Sequence, residues 1–187
     1  MSPMADDHQL MVRLAGGDQA ALRALMGRHQ LRIYRFVFRR VRNEGVAEEL
    51  TNEVFMDAWR NAKSYEGRSQ VSTWLMSIAH NRAISSLRRR REEAWDEDKA
   101  GEIADGGDDP EVSLQKDDKA TALRRCLDRL SAEHKEIIDL VYYQEMSVAE
   151  VSEVVGIPEA TVKTRMFYAR KKLSEVLKAN GIDRGWP

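Results

Sequence analysis

The stretch from Glu92 to Asp118 divides the chain before any helix or strand is assigned. It holds twelve acidic residues and two basic ones, Lys99 and Lys116, along with Gly101, Gly106, Gly107, Pro110 and few large apolar groups. A segment of that composition cannot bury enough apolar surface to offset the entropy of ordering its backbone. The residues on either side are therefore expected to fold as separate bodies. The stretch carries a net charge of −10 and the whole chain of 187 residues carries −1, so the remainder carries +9. Charge alone predicts two basic bodies joined by an acidic strap.

Several function classes fall away at once. Cys126 is the only cysteine, so no internal disulfide can form and a cysteine-built metal site is not expected. No apolar run approaches the ~20 residues that cross a bilayer. The acidic start, residues 1–7, has none of the apolar core of a secretory signal. The expectation is a cytoplasmic chain with no membrane contact of its own. His80 and His134 have no neighbours at zinc-ligand spacing. Neither a nucleophile elbow nor a phosphate-cradling glycine loop is present, so no catalysis and no cofactor are expected.

Apolar residues recur with helical period in both bodies, and no strand-like alternation is sustained. The predicted fold is all-α: two small helical domains, residues 10–92 and 118–180, joined by a flexible acidic linker over 93–117. The first predicted helix starts at an Asp18 N-cap and runs to about Arg42. Leu22, Met26, Ile33, Phe36 and Val37 form its apolar stripe, and Arg28, Arg32, Arg35, Arg39 and Arg42 lie on another face. That arginine stripe suits either a solvated surface or one that tracks phosphates. A second helix covers 46–61, with Ala47, Leu50, Val54 and Ala58 inward. A turn-rich loop at 63–69 follows, then a third helix over 71–91 with Val71, Trp74, Leu75 and Ile78 inward. Arg88 to Arg91 would close that helix where cations suit its dipole. After the linker the helical period resumes over 113–130. Short helices are predicted at 132–143 and 148–155, then a longer one at 158–179 with Gly181 as its stop.

The strongest local signal spans 147–165. Ser147 and Glu150 have the spacing of a capping box, Gly156 sits where the chain must turn sharply, and Pro158 suits the start of a helix. These are the parts of a helix-turn-helix. In the second of its helices Val162, Met166, Ala169, Leu173 and Val176 make one narrow stripe facing a core. Ala160, Lys163, Thr164, Phe167 and Lys171 lie opposite. Phe167 gains nothing from water, but in a major groove it would meet thymine methyls while Lys163 and Thr164 reach base edges. Arg165, Arg170 and Lys172 flank that face, where phosphates would be. The alternative is a three-helix packing unit with a solvated charged side.

Three segments, taken in order, resemble one family. AEELTNEVFMDAW at 47–59 resembles the polymerase-binding helix of extracytoplasmic-function (ECF) sigma factors of bacterial RNA polymerase. YEGRSQVSTWLMSIAHNRA at 65–83 resembles the promoter-reading segment that follows in that family. The helix-turn-helix, with TVKTR at 161–165, resembles the C-terminal domain.

The resemblance implies that the first module (sigma-2) binds the β′ coiled coil of the polymerase core and reads the minus-ten element. It implies that the second module (sigma-4) reads the minus-thirty-five element as duplex and touches the β-flap. By position, Glu49, Glu53, Phe55, Asp57 and Trp59 become candidates for the polymerase contact; Phe55 and Trp59 suit a core better, as aromatics at helical spacing usually do, and Glu49 and Glu53 are the better candidates. Tyr65, Arg68 and Ser69 become candidates for a pocket that holds a base out of the stack. Ser77, Asn81 and Arg88, on one outer face of the third helix, become candidates for the minus-ten strand. Ala160, Lys163, Thr164, Arg165, Phe167, Tyr168 and Lys171 become the minus-thirty-five set. The resemblance further implies control by an anti-sigma factor and, during initiation, residence at the nucleoid. The acidic linker would run through the polymerase, where it either mimics nucleic acid or serves as a solvated tether. Two other readings stay open on residues alone: a conventional helix-turn-helix regulator acting without polymerase, and a helical protein whose partner is another protein.

Overall fold

The structure, a computed structural model, describes residues 3–98 and 126–179, and every regular element among them is helical. Among the described residues two compact units are present, the first built on residues 3–98 and the second on most of residues 126–179. Most of the proposed linker, the helical period before Cys126 and the Gly181 stop lie outside the described residues.

The first unit opens with a helix that the sequence pattern does not announce, α1 (Pro3–Ala15). Leu10, Met11 and Leu14 are buried, at the i, i+1, i+4 spacing of a single short stripe. Glycine ends it: the Gly16 and Gly17 amides return to carbonyls of the last turn, and Gly17 takes φ +87°. Asp18 then caps α2 (Gln19–Val41), as expected, accepting from the amides of Ala20 and Ala21 at 2.8 and 3.4 Å.

The α2 stripe differs in detail from the expectation. Ala21, Leu25, Ile33, Phe36, Val37 and Val41 are buried, while Leu22 and Met26 are only half-buried. Asn43 caps α3 (Glu44–Asn61) through the Val46 amide, and Ala47, Leu50, Val54, Phe55 and Ala58 enter the core. A 3-10 turn (Ala62–Ser64) and the loop 65–70 lead into α4 (Val71–Asp98). α4 runs past the expected end near Arg91. Arg88–Glu92 and Arg89–Glu93 pairs, four residues apart at 3.7 and 3.4 Å, carry the helix into the acidic stretch. Arg88 to Arg91 are therefore mid-helix and do not complement a helix end.

In the second unit, Ser131 caps α5 (Ala132–Ile138), which continues as a π-helical turn (Asp139–Tyr143). α6 (Val148–Val155) and α7 (Glu159–Ala179) complete it. Cys126, Leu130 and Ile138 close over Ala169, Leu173, Val176 and Leu177 of α7 to form its core. Cys126 is a buried free thiol within that core.

Candidate nucleic-acid interface

The turn between α6 and α7 is fixed by side chains that the sequence singles out. The Ser147 amide donates to Glu150 Oε2 at 2.8 Å, and the Glu150 amide returns to Ser147 Oγ at 3.3 Å. This reciprocal box supplies partners for two amides at the start of α6. Gly156 takes φ +71°, where a residue with a Cβ would be strained. Ser152 Oγ donates to the Ile157 carbonyl at 2.6 Å and pins the exit of the turn. The Pro158 carbonyl accepts from the Thr161 and Val162 amides at 2.9 and 3.1 Å, so Pro158 stands at the cap, one residue before the first helical position expected for it.

α7 is two-faced. Val162, Ala169, Leu173 and Val176 are buried, and Met166 is half-buried. On the opposite side Ala160, Lys163, Thr164 and Lys171 are exposed. Phe167 is 61% exposed and Tyr168 53%, their rings edge to face at 5.4 Å. Two adjacent exposed aromatics on a helix with its own core stripe have no packing role within the unit. Thr164 Oγ1 donates to the Ala160 carbonyl at 2.9 Å, which leaves its oxygen outward as an acceptor. Arg165 differs from its neighbours: its guanidinium lies 3.6 Å from Glu133 at the start of α5.

In the first unit the loop before α4 closes on itself. The Tyr65 hydroxyl donates to the Ser69 carbonyl at 2.6 Å, and its ring lies 5.4 Å from that of Trp74. Burial, then the Asp7 carboxylate nearby, pushes the Tyr65 phenol above its usual range, so it stays a donor at neutral pH. Gly67 takes φ +70°, and Arg68 pairs with Glu66 on the exposed side. Along α4, Ser77 Oγ donates to the Trp74 carbonyl at 2.7 Å, while Asn81 and Arg88 are exposed on the same side of the helix. Tyr65, Arg68 and Ser69 thus share one short loop directly before the helix that presents the other three.

The α3 candidates separate. Glu49 is exposed and Trp59 half-buried, but Phe55 is 2% exposed and belongs to the core. Glu53 and Asp57 have an internal partner that sequence reasoning did not identify. Arg82 of α4 donates to Asp57 at 2.6 Å and to Glu53 at 3.0 Å, tying α3 to α4. Sequence reasoning also missed an open groove between α2 and α3, lined by Met26, Leu31, Tyr34, Glu48, Thr51 and Asn52 among others. Leu31 at its edge is 59% exposed and Met56, on α3, 46%. Their signal was legible as large apolar residues lying off the core stripe of their own helices.

Comparison with known proteins agrees with this arrangement. The Sigma-70 region 2 family matches residues 25–93, and the Sigma-70 region 4 family matches residues 120–173. Two helical units carrying those regions in that order define a sigma-70-type initiation factor, a class that is not enzymatic. The ECF RNA polymerase sigma factor SigK of Mycobacterium bovis is 30% identical over 176 residues, covering 92% of this chain and 94% of the relative. SigK of Mycolicibacterium vanbaalenii is 30% identical over 160 residues, covering 84% and 82%. The chain belongs to the ECF RNA polymerase sigma factor family. RpoE of Bartonella quintana, solved with the anti-sigma factor NepR, is similar with a TM-score of 0.68, 27% identity and coverage of 87% and 98%. CnrH, solved with the cytosolic domain of CnrY, shares the fold with a TM-score of 0.69, 22% identity and coverage of 92% and 97%. Among the described residues no helix is long and apolar enough to cross a membrane.

Proposed function

We propose that this sigma factor docks on the polymerase core through the α2–α3 side of its first unit, the groove edge at Leu31 and the exposed Glu49 and Met56 facing the β′ coiled coil. Loop residues Tyr65, Arg68 and Ser69 take a minus-ten base, and Ser77, Asn81 and Arg88 follow the strand. α7 enters the major groove at the minus-thirty-five element with Lys163, Thr164, Phe167 and Tyr168 on base edges, and Ala160 allows close approach. Lys171 meets phosphate, while Arg165 steadies α7 from the side. The second unit also meets the β-flap. The acidic strap crosses the polymerase, and an anti-sigma factor in the cytoplasm withholds the chain until a signal releases it.

The observation that carries this reading is the outer face of α7: two exposed aromatics and two lysines on a helix whose opposite face is fully used as core. Phe55 takes no part, since it is core. The test is titration of labelled promoter duplex with the chain alone and with the chain plus core polymerase. A sequence-specific complex that forms only with core is expected. Tight, specific binding by the chain alone would point to a conventional regulator.

A further inference from the structure

α1 lies outside the residues matched to either sigma-70 region, yet two neighbouring residues in it tie it to two different elements of the first unit. Asp7 faces α2, with Oδ1 accepting from Arg28 Nη1 at 2.6 Å and Oδ2 lying 2.7 Å from His29 Nε2. His8 faces the loop before α4. Its ring centroid is 6.1 Å from that of Tyr65, which in turn lies against Trp74. Both separations are those of favourable tilted aromatic pairs. Its Cε1 atom lies 3.2 Å from where a Cβ on Gly67 would stand, so the ring closes over the turn at its left-handed residue. Leu10, Met11 and Leu14 hold the same helix in the core, so the ring is mounted on a fixed element.

Glu66, Gly67 and Arg68 are exposed. A short exposed loop with few buried contacts is drawn from the least stable part of a fold unless something holds it. We propose that His8 is a positioning residue for minus-ten reading: by packing on Tyr65 and over Gly67 it sets the shape of the loop 65–69, and through that shape which base the loop accepts. The proposal rests on the assignment of that loop to promoter reading.

The test uses the full chain with core polymerase on promoters that each carry one base change in the minus-ten element, comparing wild type, His8→Ala, His8→Phe and Gly67→Ala. His8→Ala is expected to shrink the ratio between best and worst base by roughly tenfold, the scale of one base contact, while core affinity and minus-thirty-five dependence stay within roughly twofold. His8→Phe, which keeps a ring, restores the ratio. Gly67→Ala, which presses on the same ring and also strains the left-handed turn beneath it, shrinks it again. His8→Ala with an unchanged ratio would overturn the proposal. So would an equal loss on every promoter with weaker core binding, which would mean that α1 serves the fold alone. A wild-type chain with no preference at any minus-ten position would overturn the promoter-reading assignment, and this proposal with it.

Discussion

Glu145 occupies a backbone position that suits another residue. Its φ is +53°, its side chain is exposed, and it sits between the π-helical turn and the cap of α6. A non-glycine residue in the left-handed region is strained by about 1 kcal/mol or more, part of which glycine relieves at the cost of a looser unfolded chain. Glu145→Gly is therefore expected to stabilise the second unit by up to about 1 kcal/mol, read as a rise in its thermal midpoint. Phe167 presents the opposite situation. At 61% exposure it contributes little to packing, so Phe167→Ala is expected to change stability by less than about 0.5 kcal/mol in denaturant titration. Initiation from promoters that need a minus-thirty-five element should fall by roughly tenfold. Asp18 adds a pH dependence. Its bond from Arg13, then the Ala20 amide, holds its carboxyl below the ordinary range. A depressed folded value means its contribution is complete above the unfolded pKa, near 3.9, and is lost as pH falls through the folded one. Asp18→Asn should flatten the acid limb of the first unit's stability curve, and an unaltered limb would contradict that assignment.

Between elements, two kinds of contact join the helices of the first unit, and they should respond differently to mutation. Leu75 is fully buried where α4 meets the core, so Leu75→Ala should cost about 2–5 kcal/mol in transfer and cavity terms. Arg82 ties α3 to α4 at a partly exposed site, so Arg82→Met should cost about 1 kcal/mol or less, since solvent screens such pairs. Equal losses for the two in urea titrations would contradict this division. The same contrast explains what was legible in the sequence. Helices with periodic stripes or side-chain caps (α2, α3, α6 and α7) could be read from Asp18, Val54, Ser147 and Val162, because periodicity and capping are local. α1 was not, because its stripe has only three core residues within an acidic start. The reach of α4 past Arg91 was missed because its support is ion pairing rather than apolar repeat. At the candidate site, the exposed face of α7 followed from helical geometry. The Arg82 bridge to Glu53 and Asp57 links residues 25 or more apart, and no local pattern announces such a partner. The placement of His8 over Gly67 was hidden for the same reason.

At the scale of the whole molecule, two independently cored helical units present different kinds of surface. The first offers a groove with apolar edges and a short aromatic loop, and the second a helix with exposed aromatics and lysines. In the proposed function the two surfaces act together, neither placing the polymerase on a promoter by itself. An initiation factor needs both engaged on one promoter, with the binding of each raising the effective concentration of the other. That is the central claim, and run-off transcription tests it most directly. Bacterial core polymerase is supplied with this chain or with its Asn81→Ala or Lys163→Ala/Phe167→Ala variants, on promoters drawn from the source genome. The account predicts initiation at discrete start sites that depends on the chain, weakened by either variant and abolished when the two are combined. Transcription unaffected by the chain, or start sites indifferent to all three substitutions, would contradict it.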